Sequence, residues 1–165
     1  MATTYEPIAT TTLGSAAASI TFSSIAASWT DLRIIFTGSA SSANNNVNMR
    51  FNSDTGSNYS LTEMNGNGST ASSYRATSQT SITANAMGNS TTIPCTLTAD
   101  IFSYAGSTFK TILVASAADM NGSGYVERVV GLWRSTSAIN TVLLYPYSGY
   151  FNAGTTATLY GIKAA

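Results

Sequence analysis

Apolar and polar side chains alternate with a period of two along much of this chain of 165 residues. Leu32, Ile34 and Phe36 fall on one face of such a stretch, and clusters rich in Asn and Gly interrupt the alternation. Successive side chains of a β-strand point to opposite faces, so the pattern predicts strands with one buried and one exposed face. No stretch of a dozen residues carries a 3.6-residue apolar stripe, which argues against long amphipathic helices.

Three runs are apolar on both faces, at 109–114, 126–133 and 142–145. They predict central strands that are covered on two sides or that lie in an interface. The section from Asn65 to Ser90 is polar and has few large apolar residues, namely Tyr74, Ile82 and Met87. It is predicted to form exposed edge strands with long loops, or to become ordered against a neighbour.

About ten strands are indicated, at the 8–12 residue spacing typical of a sandwich or barrel. The prediction is an all-β fold: a single-domain antiparallel β-sandwich over residues 1–165, of jelly-roll type. Trp29 and Trp133 are expected in the core. Cys95 is the only cysteine, so it cannot form an intramolecular disulfide and is predicted to be a small buried apolar residue.

The composition removes most of the groups that enzymes use near neutral pH. Histidine is absent, one cysteine is present, and charged residues make up 8% of the chain with a net charge of zero. Nucleic-acid binding is disfavoured because there is no basic excess to neutralise phosphates. The beginning of the chain lacks signal-peptide features, and no apolar run is long enough for a membrane helix. We therefore expect no enzyme activity, cofactor, metal or membrane partner.

Two short motifs imitate catalytic ones. Asp54-Thr55-Gly56 matches the triplet of aspartic proteases, but polar residues flank it on both sides, so a hairpin turn is the favoured interpretation. Ser107-Thr108-Phe109-Lys110 matches the S-x-x-K of penicillin-binding enzymes. That chemistry requires a helix, whereas here the tetrapeptide leads into a strand pattern.

Binding potential is concentrated in one aromatic cluster. Tyr145, Tyr147, Tyr150 and Phe151 lie within seven residues around a predicted turn. Such rings beside hydroxyls and amides can stack on sugars or anchor a protein partner. The alternative is that some of these rings cap the sandwich core.

The order of segments carries a resemblance. The chain has Glu6-Pro7-Ile8-Ala9 near its start, then 17–25, 30–32 and 50–59, and ends with 151–163. In these segments it resembles small virion proteins of tailed phages, frequent in marine and cyanobacterial ones, and knob-like proteins that decorate capsids. The likeness extends nearly end to end, and its motifs are strand and turn signatures that transfer no functional residue.

The resemblance implies a non-enzymatic virion protein, assembled in the bacterial host cytoplasm. One hypothesis is a capsid-decorating knob attached to the major capsid protein or another virion protein. The alternative is a tail-fibre or receptor-binding tip that recognises host surface glycan through the four rings. Fibre tips are usually trimers, whereas a knob can be a monomer or a small oligomer, so both states remain open.

Overall fold

The fold is all β. A computed structural model describes residues 4–43, 45–84 and 90–164, and within these ranges it contains twelve strands and no helix. The predicted number of about ten is two too low. No helix in the described ranges is long and apolar enough to cross a membrane. The strands are β1 Tyr5–Thr12, β2 Ile20–Phe22, β3 Asp31–Gly38, β4 Val47–Phe51, β5 Tyr59–Gly66, β6 Ala71–Gln79, β7 Ile82–Ala84, β8 Cys95–Ile101, β9 Lys110–Asp119, β10 Gly124–Trp133, β11 Val142–Pro146 and β12 Thr156–Ile162.

The described strands form two antiparallel sheets. The large sheet has eight strands in the order β1-β12-β3-β8-β9-β10-β5-β6, and the small sheet has four in the order β2-β11-β4-β7. The chain changes sheet at the connections β1–β2, β2–β3, β3–β4, β4–β5, β6–β7, β7–β8, β10–β11 and β11–β12. The set β1-β12-β3-β8 with the set β2-β11-β4-β7 is therefore an eight-stranded jelly roll. This strand order confirms the predicted antiparallel sandwich of jelly-roll type.

The other four strands are two hairpins inserted into that jelly roll. β5–β6 comes between β4 and β7, and β9–β10 comes between β8 and β11. β10 pairs with both β9 and β5, so the hairpins join edge to edge and extend the large sheet beyond β8. We call β9-β10-β5-β6 the extension. Strand β7 of the small sheet contacts β10 and β5, and so covers part of the extension's inner face.

The core lies between the facing surfaces of the two sheets. The face predicted from Leu32, Ile34 and Phe36 is fully buried, and Cys95 is buried as expected. Burial raises the pKa of the Cys95 thiol to about 12, so it stays protonated near neutral pH. Trp133 is also in the core, whereas Trp29 is half-buried and packs against the core's rim.

A glycine of β10 allows the extension to approach β7 closely. A Cβ atom built on Gly131 would lie 2.5 Å from Cδ1 and 3.0 Å from Cγ2 of the buried Ile82. Those distances are shorter than carbon atoms tolerate. Glycine at position 131 therefore sets how closely the short strand β7 can pack on the large sheet.

The polar section at 65–90 contains two edge strands, which was the first of the two alternatives predicted for it. β6 is almost wholly exposed at the edge of the large sheet, and β7 is the edge of the small sheet. Ile82 is buried and Tyr74 is exposed, while Met87 lies outside the described residues. β6 was hard to count from the sequence because a strand exposed on both faces needs no apolar alternation.

Strands β9, β10 and β11, from the runs that are apolar on both faces, are central in their sheets. Of the two predicted alternatives, cover on both faces within the chain is wrong for β9 and β10, and location in an interface stays a prediction. Their outward side chains include Leu113, Val126 and Val130, which are exposed. Nothing in the second sheet can reach that side, because a sandwich covers one face of each sheet.

Candidate functional site

The aromatic cluster lies on the turn between β11 and β12, at the end of the sandwich where several loops meet. The loops at 13–19, 39–46 and 147–155 contact one another through backbone hydrogen bonds. Asn152 joins its own loop to two others, because its Nδ2 donates to Ser39 Oγ at 3.0 Å and, in the segment before β8, to the carbonyl of Thr91 at 2.8 Å. Loops held on a rigid scaffold in this way are common binding sites.

Two of the four predicted rings are available at this turn. Tyr147 is 72% exposed and Tyr150 is 54% exposed. The backbone beneath them is firmly held: Asn45 Nδ2 donates to the Ser148 carbonyl at 2.7 Å, and the Ser41 amide donates to the Tyr150 carbonyl at 2.9 Å. A ligand would therefore meet two rings on a pre-ordered turn, with serine and asparagine side chains beside them.

Tyr145 lies apart from that tip. It is half-buried on the small sheet, and the Arg50 guanidinium lies over its ring, 4.7 Å from the centroid. A cation at this distance already occupies the face that a sugar would use. Tyr145 is thus a partner of Arg50, next to the exposed turn.

Phe151 corrects the four-ring interpretation. It is fully buried, and its ring centroid lies 5.2 Å from that of Phe36 in the large sheet. Its backbone forms isolated bridges with Ala17 and Ala40 on neighbouring loops. Phe151 therefore belongs to the core, as the alternative interpretation of the cluster stated, and it presents no surface to a ligand.

Asp54 organises a turn, as predicted for the Asp54-Thr55-Gly56 triplet, but the expected hairpin is wrong, because the turn joins β4 of the small sheet to β5 of the large sheet. Its Oδ1 accepts a hydrogen bond from the Gly56 amide at 2.8 Å, and its Oδ2 accepts from Trp133 Nε1 at 2.7 Å and Asn58 Nδ2 at 3.0 Å. Burial by itself raises the pKa of Asp54, but these hydrogen bonds outweigh it and lower the pKa below its usual value. A carboxylate held by three donors is a structural acceptor.

Ser107 and Lys110 have separate surroundings. Ser107 is exposed in the loop before β9, whereas Lys110 is the first residue of β9 and is fully buried. Its Nζ donates to the carbonyls of Gly106 at 2.7 Å and Thr108 at 2.5 Å. Burial lowers the pKa of Lys110. The structure confirms the strand assigned to this motif, and it gives the ammonium group a loop-closing role.

A buried carboxylate pair was not recognised from the sequence. Glu63 of β5 and Glu127 of β10 face the interior and are 9% and 5% exposed. Ser116 Oγ donates to Glu127 Oε2 at 2.9 Å, and Asn65 Nδ2 donates to Glu63 Oε1 at 3.1 Å. Burial raises the pKa of Glu63, and the charge of Glu127 raises it further. The raised pKa makes the folded state more stable when Glu63 is protonated. This extra stability is complete at low pH and is lost as the pH rises through the folded-state pKa of Glu63.

The pairing of those two residues depends on register across β5 and β10, which place Glu63 opposite Val129 and Glu127 opposite Asn65. One part of this follows from the sequence, because adjacent residues of a strand, such as Glu127 and Arg128, point to opposite faces. Glu127 is indeed buried and Arg128 exposed. In the described ranges, no three Asp, Glu or Cys side chains come together as metal ligands.

An apolar patch covers the outer face of the extension. Leu113 and Val130 are direct cross-strand partners, and Met64 is the partner of Arg128. Together with Val126 they form what we call the outer patch, with exposed fractions of 65% for Met64, 62% for Val126, 47% for Val130 and 37% for Leu113. Contiguous exposed apolar side chains of this kind mark interaction surfaces.

The other half of the same face is covered with hydroxyl groups. Two rows of outward threonines cross β1, β12, β3 and β8, with Ile35 as the single apolar member among them. Threonine hydroxyls pair across β1 and β12 at 3.0 Å, for Thr10 with Thr158 and for Thr12 with Thr156. The large sheet therefore presents a polar half and an apolar half on one continuous surface.

Comparisons with known proteins show a likeness in structure. No family model matches the chain, and no curated protein does. Among solved structures, the chain is similar to the galectin LEC-6 of Caenorhabditis elegans, with 10% sequence identity and a TM-score of 0.32. The match covers 88% of this chain and 91% of that chain. A likeness at this level carries no functional argument, and the fold assignment depends on the strand order of this chain itself.

Proposed function

We propose that this protein is a non-enzymatic structural component of a phage virion, a knob that decorates the capsid by binding the major capsid protein. The outer patch is the observation that carries the proposal, because it leaves four large apolar side chains exposed on a regular, rigid sheet. Burying apolar area contributes about 25 cal/mol per Å². Many copies on a repeating shell make a modest single contact sufficient.

Two further observations support this function. The half of the outer face formed by β1, β12, β3 and β8 carries two rows of threonine hydroxyls, which suits a surface that faces solvent on a larger particle. The titratable groups discussed above are used in turns, a loop closure and a buried pair, so each has a structural role. The resemblance to small virion proteins remains a prediction beside these observations.

Fractionation of disrupted virions tests the proposal directly. We expect the protein in the head fraction, and its absence from heads would contradict capsid decoration. On heads that lack the protein, the purified double variant Val126→Thr with Val130→Thr should bind at least about tenfold more weakly. Each change replaces a methyl group that attachment would bury, worth roughly 0.8 kcal/mol, with a hydroxyl. Ile35→Thr is the matched control, since Ile35 lies on the same face outside the outer patch.

A second candidate function is recognition of host surface glycan by a tail-fibre tip. The exposure of Tyr147 and Tyr150 on a held turn favours it. In that case a glycan array should report binding that Tyr147→Ala weakens at least about tenfold, while Tyr74→Ala, which removes another exposed ring, leaves it unchanged. Light scattering should then give a trimer. Binding that is absent, or is equally affected by both variants, would argue against this function.

A further inference from the structure

We infer that the outer patch belongs to a groove that binds an extended, acidic protein segment, with apolar side chains between its carboxylates. This inference rests on the proposed attachment and names the chemistry of the partner. The groove follows β10 and consists of two hollows. One of about 320 Å³ is bordered by Thr62, Arg75 and Val130, and one of about 420 Å³ is bordered by Met64 and Arg128.

The length of the groove suits a short strand. It extends along β10 from Val126, which borders the second hollow, to Leu132, which borders the first. At about 3.4 Å per residue this is roughly 20 Å, the length of about six extended residues. The backbone of β10 is already paired on both sides with β9 and β5. A partner on this face must therefore be recognised through side chains.

The charged residues of the groove indicate which side chains a partner must carry. Arg75 and Arg128 are both exposed on the outer face, and Arg75 Nε donates to Thr62 Oγ1 at 3.3 Å. Asp100, on the neighbouring part of the same face, is already bound to Arg33 through two hydrogen bonds of 2.6 and 2.9 Å. Glu127 also borders the second hollow, but its buried carboxylate accepts from Ser116 on the inner side.

The groove thus offers two cations in a protein whose net charge is zero. Arg75 and Arg128 lie two strands and two residues apart in the sheet register. Their Cα atoms are therefore separated by roughly 12 Å. Two carboxylates four residues apart lie on the same face of an extended segment at a comparable separation. Arginine binds carboxylates through paired hydrogen bonds.

Two other occupants fit less well. A second copy docked face to face would bring Arg128 against the same positive surface, which like-charge repulsion opposes. A glycan would lack a stacking platform, because the residues that border the two hollows include no aromatic ring. Apolar side chains between carboxylates, by contrast, would cover Val126, Val130 and Met64.

Fluorescence anisotropy with defined probes tests the inference. The probes are a labelled peptide of about twelve residues in which Glu recurs among Val and Thr, the same peptide with Lys for Glu, and a labelled oligogalacturonate. We expect the Glu peptide to bind, and to bind more weakly as salt rises, because ion pairs at a surface are screened. Stronger binding of the Lys peptide, or of the oligogalacturonate, would overturn the inference.

Charge reversal locates the site. Arg128→Glu and Arg75→Glu should each weaken binding of the Glu peptide at least about tenfold, whereas Arg50→Glu, on the outer face of the small sheet, should leave it unchanged. If a reversal variant unfolds, Arg128→Gln is measured instead, with the same expected direction. Equal binding by Arg128 and Arg50 variants would refute the site.

The two proposals can fail separately. Protein found in the head fraction without binding of the Glu peptide would leave capsid decoration standing and reject the acidic segment. Binding of the Glu peptide by a protein absent from heads would support the acidic segment and reject capsid decoration.

Discussion

Replacing Phe151 by alanine is expected to lower the free energy of unfolding by about 3–5 kcal/mol, the range for a large side chain removed from a packed core. The ring is fully buried against Phe36, and the Phe151 backbone exchanges hydrogen bonds of 2.8 and 3.0 Å with Ala17. Urea unfolding followed by tryptophan fluorescence measures the change. The loss should also loosen the turn that carries Tyr147 and Tyr150, since Phe151 ties it to the core.

Neighbouring variants make that result specific. Tyr147→Ala should change the unfolding free energy by less than about 0.5 kcal/mol, because its ring is exposed. Phe151→Leu should cost less than Phe151→Ala, since leucine refills part of the space. If Phe151→Ala were as mild as Tyr147→Ala, the ring would not belong to the core, and the four-ring surface would have to be reconsidered.

Replacing Asp54 by alanine should lower the free energy of unfolding by about 2–4 kcal/mol. The change removes the acceptor for the Gly56 amide, Asn58 and Trp133. Trp133 is 2% exposed, so its indole N–H would be left buried without this partner, which by itself costs about 1–3 kcal/mol. Asp54→Asn keeps one acceptor oxygen and should be milder. A loss below about 1 kcal/mol for Asp54→Ala would contradict this structural role.

The same residue predicts an acid dependence. Because the folded-state pKa of Asp54 lies below its usual 3.8, its contribution to stability is complete above that pH and is lost as the pH falls further. Unfolding curves recorded between neutral and strongly acidic pH should therefore converge for the wild-type protein and Asp54→Asn at the acidic end. A constant difference between the two proteins across the whole series would argue against an ionised Asp54 in the turn.

Local structure followed from residue patterns wherever one face of a strand is buried. Leu32, Ile34 and Phe36 identified β3 because alternate side chains of a strand point to the same face, so apolar residues at every second position indicate one buried face. The turn at Asp54 was predictable because a short acceptor side chain beside glycine favours that backbone. The sandwich class followed from the number and spacing of such strands, with the jelly-roll order confirmed by the pairing.

Properties that depend on contacts between distant segments were decided by the tertiary structure. Glu63 and Glu127 form a pair, and Val126, Val130, Leu113 and Met64 form a surface, through the register of the inserted hairpins, which alternation within one strand does not encode. Phe151 and Tyr150 are adjacent and similar in sequence, yet the pleat and the bridges to Ala17 and Ala40 send one ring inward and leave the other in solvent. The sequence by itself thus determined the strands that have one buried face, and which of their faces are apolar. The tertiary structure decided which of those faces meet, because strand pairing depends on contacts between residues that are far apart in the sequence.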